Sequence, residues 1–299
     1  MIGARHILHP TRTAHSLYRR LRKARPKFAE IGSFRLRLSD DSQLLNYKNA
    51  FHLYDTALGK IASVLADKYP DLHAIDIGSN VGDTAALIRE SGTIPVLCVE
   101  GDPVVQLILS ENIALLGPRI EIEHSFVGTD GVAVNLEVGR DVGSNACLVG
   151  AVHAGGKTKL RSLRAILADH PRFARSKLLK IDTEGFDFEI IKRSIDFVSE
   201  ARPVIFFEYD PHFHPEEAGA GLETVQALKS AGYSDFIYYD NFGNFLVHCK
   251  AGDNTILADL DSYLASNRRH GTAVYYFDIC ALHHEDAELV PKIKALTQR

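Results

Sequence analysis

From residue 71 onward, short β-branched runs alternate with helical stretches, and this alternation constrains the fold more than any other feature of the 299-residue chain. His73–Ile77, Ile94–Glu100, Arg119–Val127, Lys177–Asp182, Pro203–Glu208 and Phe236–Asp240 read as strands. Thr84–Glu90, Val104–Leu116, Ser162–Asp169, Phe186–Val198 and Leu222–Ala231 read as helices between them. Two late apolar runs, Phe245–His248 and Ala273–Leu282, add strand candidates. Parallel neighbours need a crossover that returns the chain to the same end, so this order demands a parallel sheet covered by helices on both faces. The expectation is an α/β, Rossmann-like fold with a mostly parallel seven-stranded sheet over residues 71–299. Residues 128–160, rich in Gly and Val, interrupt the rhythm as a hairpin or loop insertion. Residues 1–70 read as a basic, helical N-terminal extension.

Ligands of such sheets bind beyond the carboxyl ends of the strands, at the first strand-to-helix turn. That turn reads Asp76-Ile-Gly78-Ser79-Asn80-Val-Gly82-Asp83. Glycine there lets the backbone approach a ligand closely. A nicotinamide fingerprint needs glycine where Asn80 and Asp83 stand, and a diphosphate meets the carboxylates of Asp76 and Asp83 unfavourably. A ligand with an ammonium and a sulfonium group, S-adenosylmethionine, suits them. Glu100 ends the next strand 24 residues after Asp76, well placed to take two ribose hydroxyls. Gly101 and Asp102 follow it directly, and Ser125 and Phe126 stand where an adenine ring is bonded and covered.

Three blocks together resemble the FkbM-type methyltransferases: DIGSNVGD; VLCVEGDP with Asn112 in the following helix; and Leu179-Lys-Ile-Asp-Thr-Glu-Gly185 running on to Pro203–Glu208. The resemblance spans about residues 72–210. It implies a class I methyltransferase fold and O-methylation of a sugar, glycan or natural-product hydroxyl. One position departs from the family pattern: a Thr-Leu-Asp segment is replaced by Ser162-Leu163-Arg164, which removes a carboxylate. A nucleotide-binding oxidoreductase of Rossmann type, and a non-catalytic adaptor with a membrane-binding arm, remain as alternatives.

Methyl transfer to a hydroxyl needs alignment of donor and acceptor and a path for the proton. Asp182 and Glu184 after the fourth strand, Glu208 at the end of the fifth, and His212 and His214 beyond it are the candidate catalytic groups. Asp182 or a histidine acts as base in one reading. In a second, less favoured reading, Asp182, Glu184 and Glu208 hold a divalent cation. In a third, the carboxylates cap helices and fix loops. Asp210-Pro-His is not the Asn/Asp-Pro-Pro-aromatic pattern of adenine or glutamine methylation.

A net charge of −4 argues against nucleic acid as a partner. Four widely spaced cysteines without a zinc pattern fit a reducing cytoplasm. No apolar stretch reaches membrane-spanning length, and no secretory signal pattern opens the chain. The first 27 residues nonetheless carry eight basic side chains and no acid. Such an arm can bind anionic lipid, nucleic acid or an acidic partner, or stand as a solvated terminal helix; the expectation carried forward is a peripheral contact with an anionic membrane on its inner face, toward a lipid-linked acceptor, and oligomerisation is a further open possibility. Co-sedimentation with anionic vesicles should therefore fall as salt rises, since exposed charges are screened beyond about 8–10 Å. Equal binding by a chain beginning at Ala29 would contradict it.

Overall fold

The computed structural model describes residues 26–40, 42–134, 137–140, 146–149, 158–183, 185–213, 219–270 and 274–298. Residues 1–25 of the basic arm, Glu184 and His214 lie outside these. The described chain opens with an antiparallel hairpin, β1 (Lys27–Ile31) and β2 (Phe34–Leu38), where the sequence reading places helix. The reason is local. Gly32 takes φ 56° in the two-residue turn, and Ser33 donates from its amide and hydroxyl to Glu90 Oε1 at 2.8 and 2.6 Å. Ala29, Ile31, Leu36 and Leu38 alternate along the two strands and are fully buried on one face. Helices α1 (Leu44–Ala50) and α2 (Thr56–Lys68) follow.

The alternating region then runs β3 (Ala74–Ile77), α3 (Asp83–Arg89), β4 (Val96–Val99), α4 (Pro103–Leu116) and β5 (Ile120–Glu123). The expected strand Arg119–Val127 is thus cut in two. Its end forms β6 (Phe126–Val127), which joins a three-stranded sheet with β7 (Ala133–Val134) and β10 (Thr158–Arg161). Within the 128–160 segment, β8 (Glu137–Arg140) and β9 (Ala146–Val149) pair antiparallel as a hairpin. The order resumes as α5 (Leu163–Asp169), β11 (Leu178–Ile181), α6 (Asp187–Arg193), α7 (Ile195–Ala201), β12 (Val204–Tyr209), α8 (Ala220–Ser230), β13 (Tyr233–Asp240), β14 (Phe245–Lys250), α9 (Asn254–His270), β15 (Phe277–His283) and α10 (Val290–Thr297).

The main sheet has the order β14-β13-β15-β12-β11-β3-β4-β5. It carries eight strands rather than seven, because Phe245–Lys250 pairs along the edge of β13. Strands β5, β4, β3, β11 and β12 are parallel; β15 enters antiparallel between β12 and β13. Every residue of β3, β4, β11 and β12 is buried, as expected of parallel strands with helices on both faces. One core holds α2, α3, α4, α10 and the hairpin; the other holds α5 to α9. Cys98 and Cys280 are buried free thiols. The strand order reverses between β3 and its neighbours β11 and β4, which opens a crevice at their carboxyl ends.

Asn112 locks the hairpin to that crevice. Its Oδ1 accepts from Arg37 N at 2.8 Å, and its Nδ2 donates to Arg37 O at 2.8 Å and Val81 O at 2.7 Å. The side chain is fully buried. Asn112→Ala strands these groups without partners, so it should lower stability by about 1–3 kcal/mol. Hydrogen exchange at the Arg37 amide should accelerate with it, and unchanged exchange would show that the hairpin is held elsewhere.

Candidate active site

The crevice is built on the turn between β3 and α3. Gly78, Asn80 and Gly82 all take left-handed backbone, with φ 76°, 46° and 88°. A Cβ at Gly78 would lie 1.8 Å from the carbonyl oxygen of Asp182, so only glycine brings the β3 and β11 ends this close. Ser79 is buried and donates its hydroxyl to Asp76 O at 2.6 Å. Ser79 and Gly82 thus shape the turn from behind. Asp76 is fully buried; its Oδ2 accepts from Thr84 Oγ1 at 2.6 Å. Its Oδ1 lies 3.2 Å from Lys180 Nζ, and that ammonium also donates to Gly78 O at 2.9 Å. Asp182 Oδ2 is a further 3.7 Å neighbour of the same ammonium.

Glu100 faces the turn from the end of β4. Its two oxygens accept from Asn80 N at 2.9 Å and Asp102 N at 2.8 Å. Each oxygen keeps a second lone pair, so the carboxylate can take two hydroxyls as well. Asp102 caps α4, accepting from Val104 N at 2.8 Å, and is buried. It therefore supports Glu100 and stays out of the cavity wall. Gly101 lies against the Phe126 ring, where a Cβ would come within 2.3 Å of ring carbons. Gly78, Asn80, Asp83, Glu100, Gly101, Ser125 and Phe126 line one continuous cavity with Asp182 and Glu208.

Sequence reasoning did not anticipate the far wall. Tyr47, Tyr54 and Asp55 from the N-terminal segment and Tyr276 and Asp278 from the start of β15 complete the cavity. Tyr47 and Tyr54 stack with centroids 5.3 Å apart. Asp278 stands directly opposite Glu208 in the antiparallel β12–β15 register, a pairing that a strand pattern alone does not reveal. His212 is held by Asp210, whose Oδ1 is 2.9 Å from both the ring Nδ1 and the amide of His212. It sits beside the cavity rather than in its wall; Asp210 and Phe213 border a small recess that shares Glu208 with it. Arg164 is exposed, and Ser162 caps α5 by accepting from Ala165 N. Among the described residues, the acids and histidines close enough to share a metal ion are His283, His284 and Glu285, away from this cavity. Asp182 and Glu208 are not in that group.

The site is dominated by acids. Burial, then Asp83 and Asp182, push Asp55 up to about 7, and burial pushes Asp83 up to about 6. Burial also raises Glu100, against the two amides that it accepts.

Residues 76–234 match the methyltransferase FkbM domain. The chain belongs to the FkbM methyltransferase family. No curated protein matches the chain. Among solved structures, a precorrin-6y C5,15-methyltransferase from Geobacter metallireducens is 11% identical, with a TM-score of 0.39 over 71% of this chain and 81% of its own. Methyltransferase FkbM from Methylobacillus flagellatus is 15% identical, with a TM-score of 0.37 over 56% and 40%. A tRNA (uracil-54, C5)-methyltransferase from Pyrococcus abyssi is 10% identical, with a TM-score of 0.41 over 86% and 44%.

The cofactor of this FkbM methyltransferase is S-adenosylmethionine, and its residues fit that group. The cradle at Gly78 leaves room that any Cβ would fill, and Glu100 offers spare lone pairs beside Asn80. Glu100 would hold the ribose, with Ser125 and Phe126 at the base. The Gly78–Asn80 turn and the acids around it would face the amino-acid end. Family membership removes the nicotinamide alternative.

Asp187, just behind the cavity, accepts at Oδ2 from Thr183 N at 3.2 Å and Thr183 Oγ1 at 2.9 Å. Burial raises it from 3.8 to about 7. A raised carboxyl contributes stability that is complete below its unfolded value and is lost as pH rises to the folded value. Thermal melts should therefore show stability falling between about pH 4 and pH 7, and Asp187→Asn should flatten that fall while keeping the Thr183 contacts. An identical pH profile in the variant would contradict the assignment.

Proposed function

We propose that this FkbM methyltransferase methylates a hydroxyl of a sugar, glycan or natural-product acceptor. The observation that supports the reading is the placement of Asp182 and Glu208 in the cavity wall, across Gly78 from Glu100. With adenosine held at Glu100 and Phe126, the acceptor meets the end of the cavity where carboxylates can take a hydroxyl proton. S-adenosylmethionine supplies an activated methyl group on a sulfonium, so the protein's share is alignment and proton removal. Asp182 accepts the proton in this reading, because its side chain is about half exposed, at 46%, and faces the cavity. The Asp210–His212 pair is the alternative acceptor of the proton. Tyr47, Tyr54 and Tyr276 give the acceptor apolar ring faces to rest on.

The reaction is metal-free in this account. Lys180 already places a cation 3.7 Å from Asp182, and among the described residues neither Asp182 nor Glu208 belongs to a group of acids and histidines close enough to share an ion. The basic arm joins the reading as a tether that brings the cavity to a lipid-linked acceptor at an anionic, cytoplasmic surface. Among the described residues no helix is long and apolar enough to cross a membrane.

Transfer of labelled methyl groups to a panel of hydroxyl acceptors tests the reading. Asp182→Asn should lower kcat by roughly 10²–10⁴-fold while S-adenosylhomocysteine still binds, and chelator should leave turnover unchanged. Full activity in Asp182, Glu208 and His212 variants would place the chemistry elsewhere, and loss of activity to chelator would restore the cation reading.

A further inference from the structure

Helix α4 is apolar nearly all the way round. Val105, Ile108, Leu109, Ile113 and Leu116 are buried against the sheet and the hairpin, yet Val104, Leu107 and Leu115 on the opposite side are more than half exposed, Leu107 at 70%. Their spacing sets these three on one stripe. Glu111, the one charged residue of the helix, stands in the same stripe and is paired with Arg37 at 2.6 Å. A helix that is apolar on both sides is one that is covered on both.

The stripe continues onto the hairpin. Because Ala29, Ile31, Leu36 and Leu38 face the core, Phe28, Glu30, Arg35 and Arg37 face outward. Phe28 is exposed and is the register partner of Arg37, the residue that reaches Glu111; the Arg35 guanidinium lies over the Phe28 ring, 4.8 Å from its centroid. Glu30 is within 3.8 Å of Arg35, so both acids of this surface have an arginine partner. Among the described residues seven large apolar side chains are exposed, and four of them, Phe28, Val104, Leu107 and Leu115, therefore share one face. The basic arm joins that face at Lys27, with eight basic residues and no acid between Met1 and Lys27. Lys27 Nζ donates to Ser42 O at 3.5 Å. Ser42, like Gly101 and Val105 at the start of α4, lines the cavity, so the face borders the cavity at two places.

We infer that the exposed stripe of α4 and the outer face of the β1–β2 hairpin form the surface that lies on an anionic lipid bilayer. The inference rests on the proposed contact between the basic arm and an anionic surface, and deepens it by naming the folded face that meets the lipid. Peripheral binding of this kind adds burial of apolar side chains at the headgroup boundary to attraction between basic residues and anionic lipid. Val104, Leu107, Leu115 and Phe28 supply the first, and the arm supplies the second. The bilayer then meets the border of the cavity, and a lipid-linked acceptor reaches it from the membrane plane. A second copy of the chain is the poorer occupant. Isologous pairing through this face would bring two arms of eight basic residues together, a repulsion that an anionic bilayer turns into attraction.

Sedimentation of the full chain with vesicles of phosphatidylcholine alone, and of phosphatidylcholine mixed with phosphatidylserine, tests the inference. The chain should bind the mixed vesicles, and salt should remove much of that binding but not all, because apolar contact is not screened. The triple variant Val104→Ser, Leu107→Ser, Leu115→Ser should bind the mixed vesicles at least about tenfold more weakly. Its melting curve should match the parent's, since all three side chains are exposed. If the triple variant does not fold, Leu107→Ser alone should weaken binding about threefold. Absence of binding to the mixed vesicles, or equal binding to both kinds, would overturn the reading of the arm and this inference with it. Binding that the stripe variants leave unchanged would overturn this inference alone. So would a parent chain that is a dimer by ultracentrifugation and a monomer once the stripe is replaced, because the face would then belong to a second copy.

Discussion

The site depends on one buried ammonium. Lys180 Nζ, almost wholly shielded at 3% exposure, bridges the carboxylate of Asp76 and the carbonyl of Gly78, with Asp182 close by. Its partners come from β3, from the turn after it and from the end of its own strand. A buried lysine is tolerable only when paired, and removing one partner would leave an uncompensated charge in the core. The attraction therefore fixes where the glycine turn sits relative to β11. It also offsets the repulsion between Asp76 and Asp182. The turn, the cradle at Gly78 and the acidic wall are consequences of the same contact.

Around that contact the fold divides the work. In the proposed binding mode the matched domain supplies the adenosine side: the glycine turn, Glu100 with its two amide donors, and Phe126 lying on Gly101. Segments from outside the matched span supply much of the other wall, with Tyr54 and Asp55 ahead of α2 and Tyr276 and Asp278 at the start of β15. The hairpin matters to this arrangement because Asn112 ties β2 to the carbonyl of Val81 inside the turn. Loosening the N-terminal segment would be felt at the cofactor.

What the sequence made legible follows from which interactions are local. Continuous apolar runs such as Val96–Val99 and Leu178–Ile181 are strands because both faces are covered, and that pattern is read directly. Asp76, Gly78 and Glu100 were legible because a strand, a turn and a following strand fix them within a short span. The hairpin at Lys27–Leu38 escaped because its surroundings read as basic and helical, although Gly32-Ser33 between alternating residues carried a turn signal. Asp278 escaped for a different reason. Asp278 reaches Glu208 only through an antiparallel strand inserted from the far end of the chain, and no local spacing encodes that pairing. Asp102 reads as a ligand from its position beside Glu100, yet a residue just before Pro103 serves the helix start first.

The measurement that bears most directly on the account is a crystal structure of the chain with S-adenosylhomocysteine bound. The account places both ribose hydroxyls on Glu100, the base against Phe126, and the amino-acid end over the Gly78–Asn80 turn, with the sulfur on the side of Asp182. A ligand seated elsewhere, or one that leaves Glu100 bonded to its backbone amides alone, would contradict it.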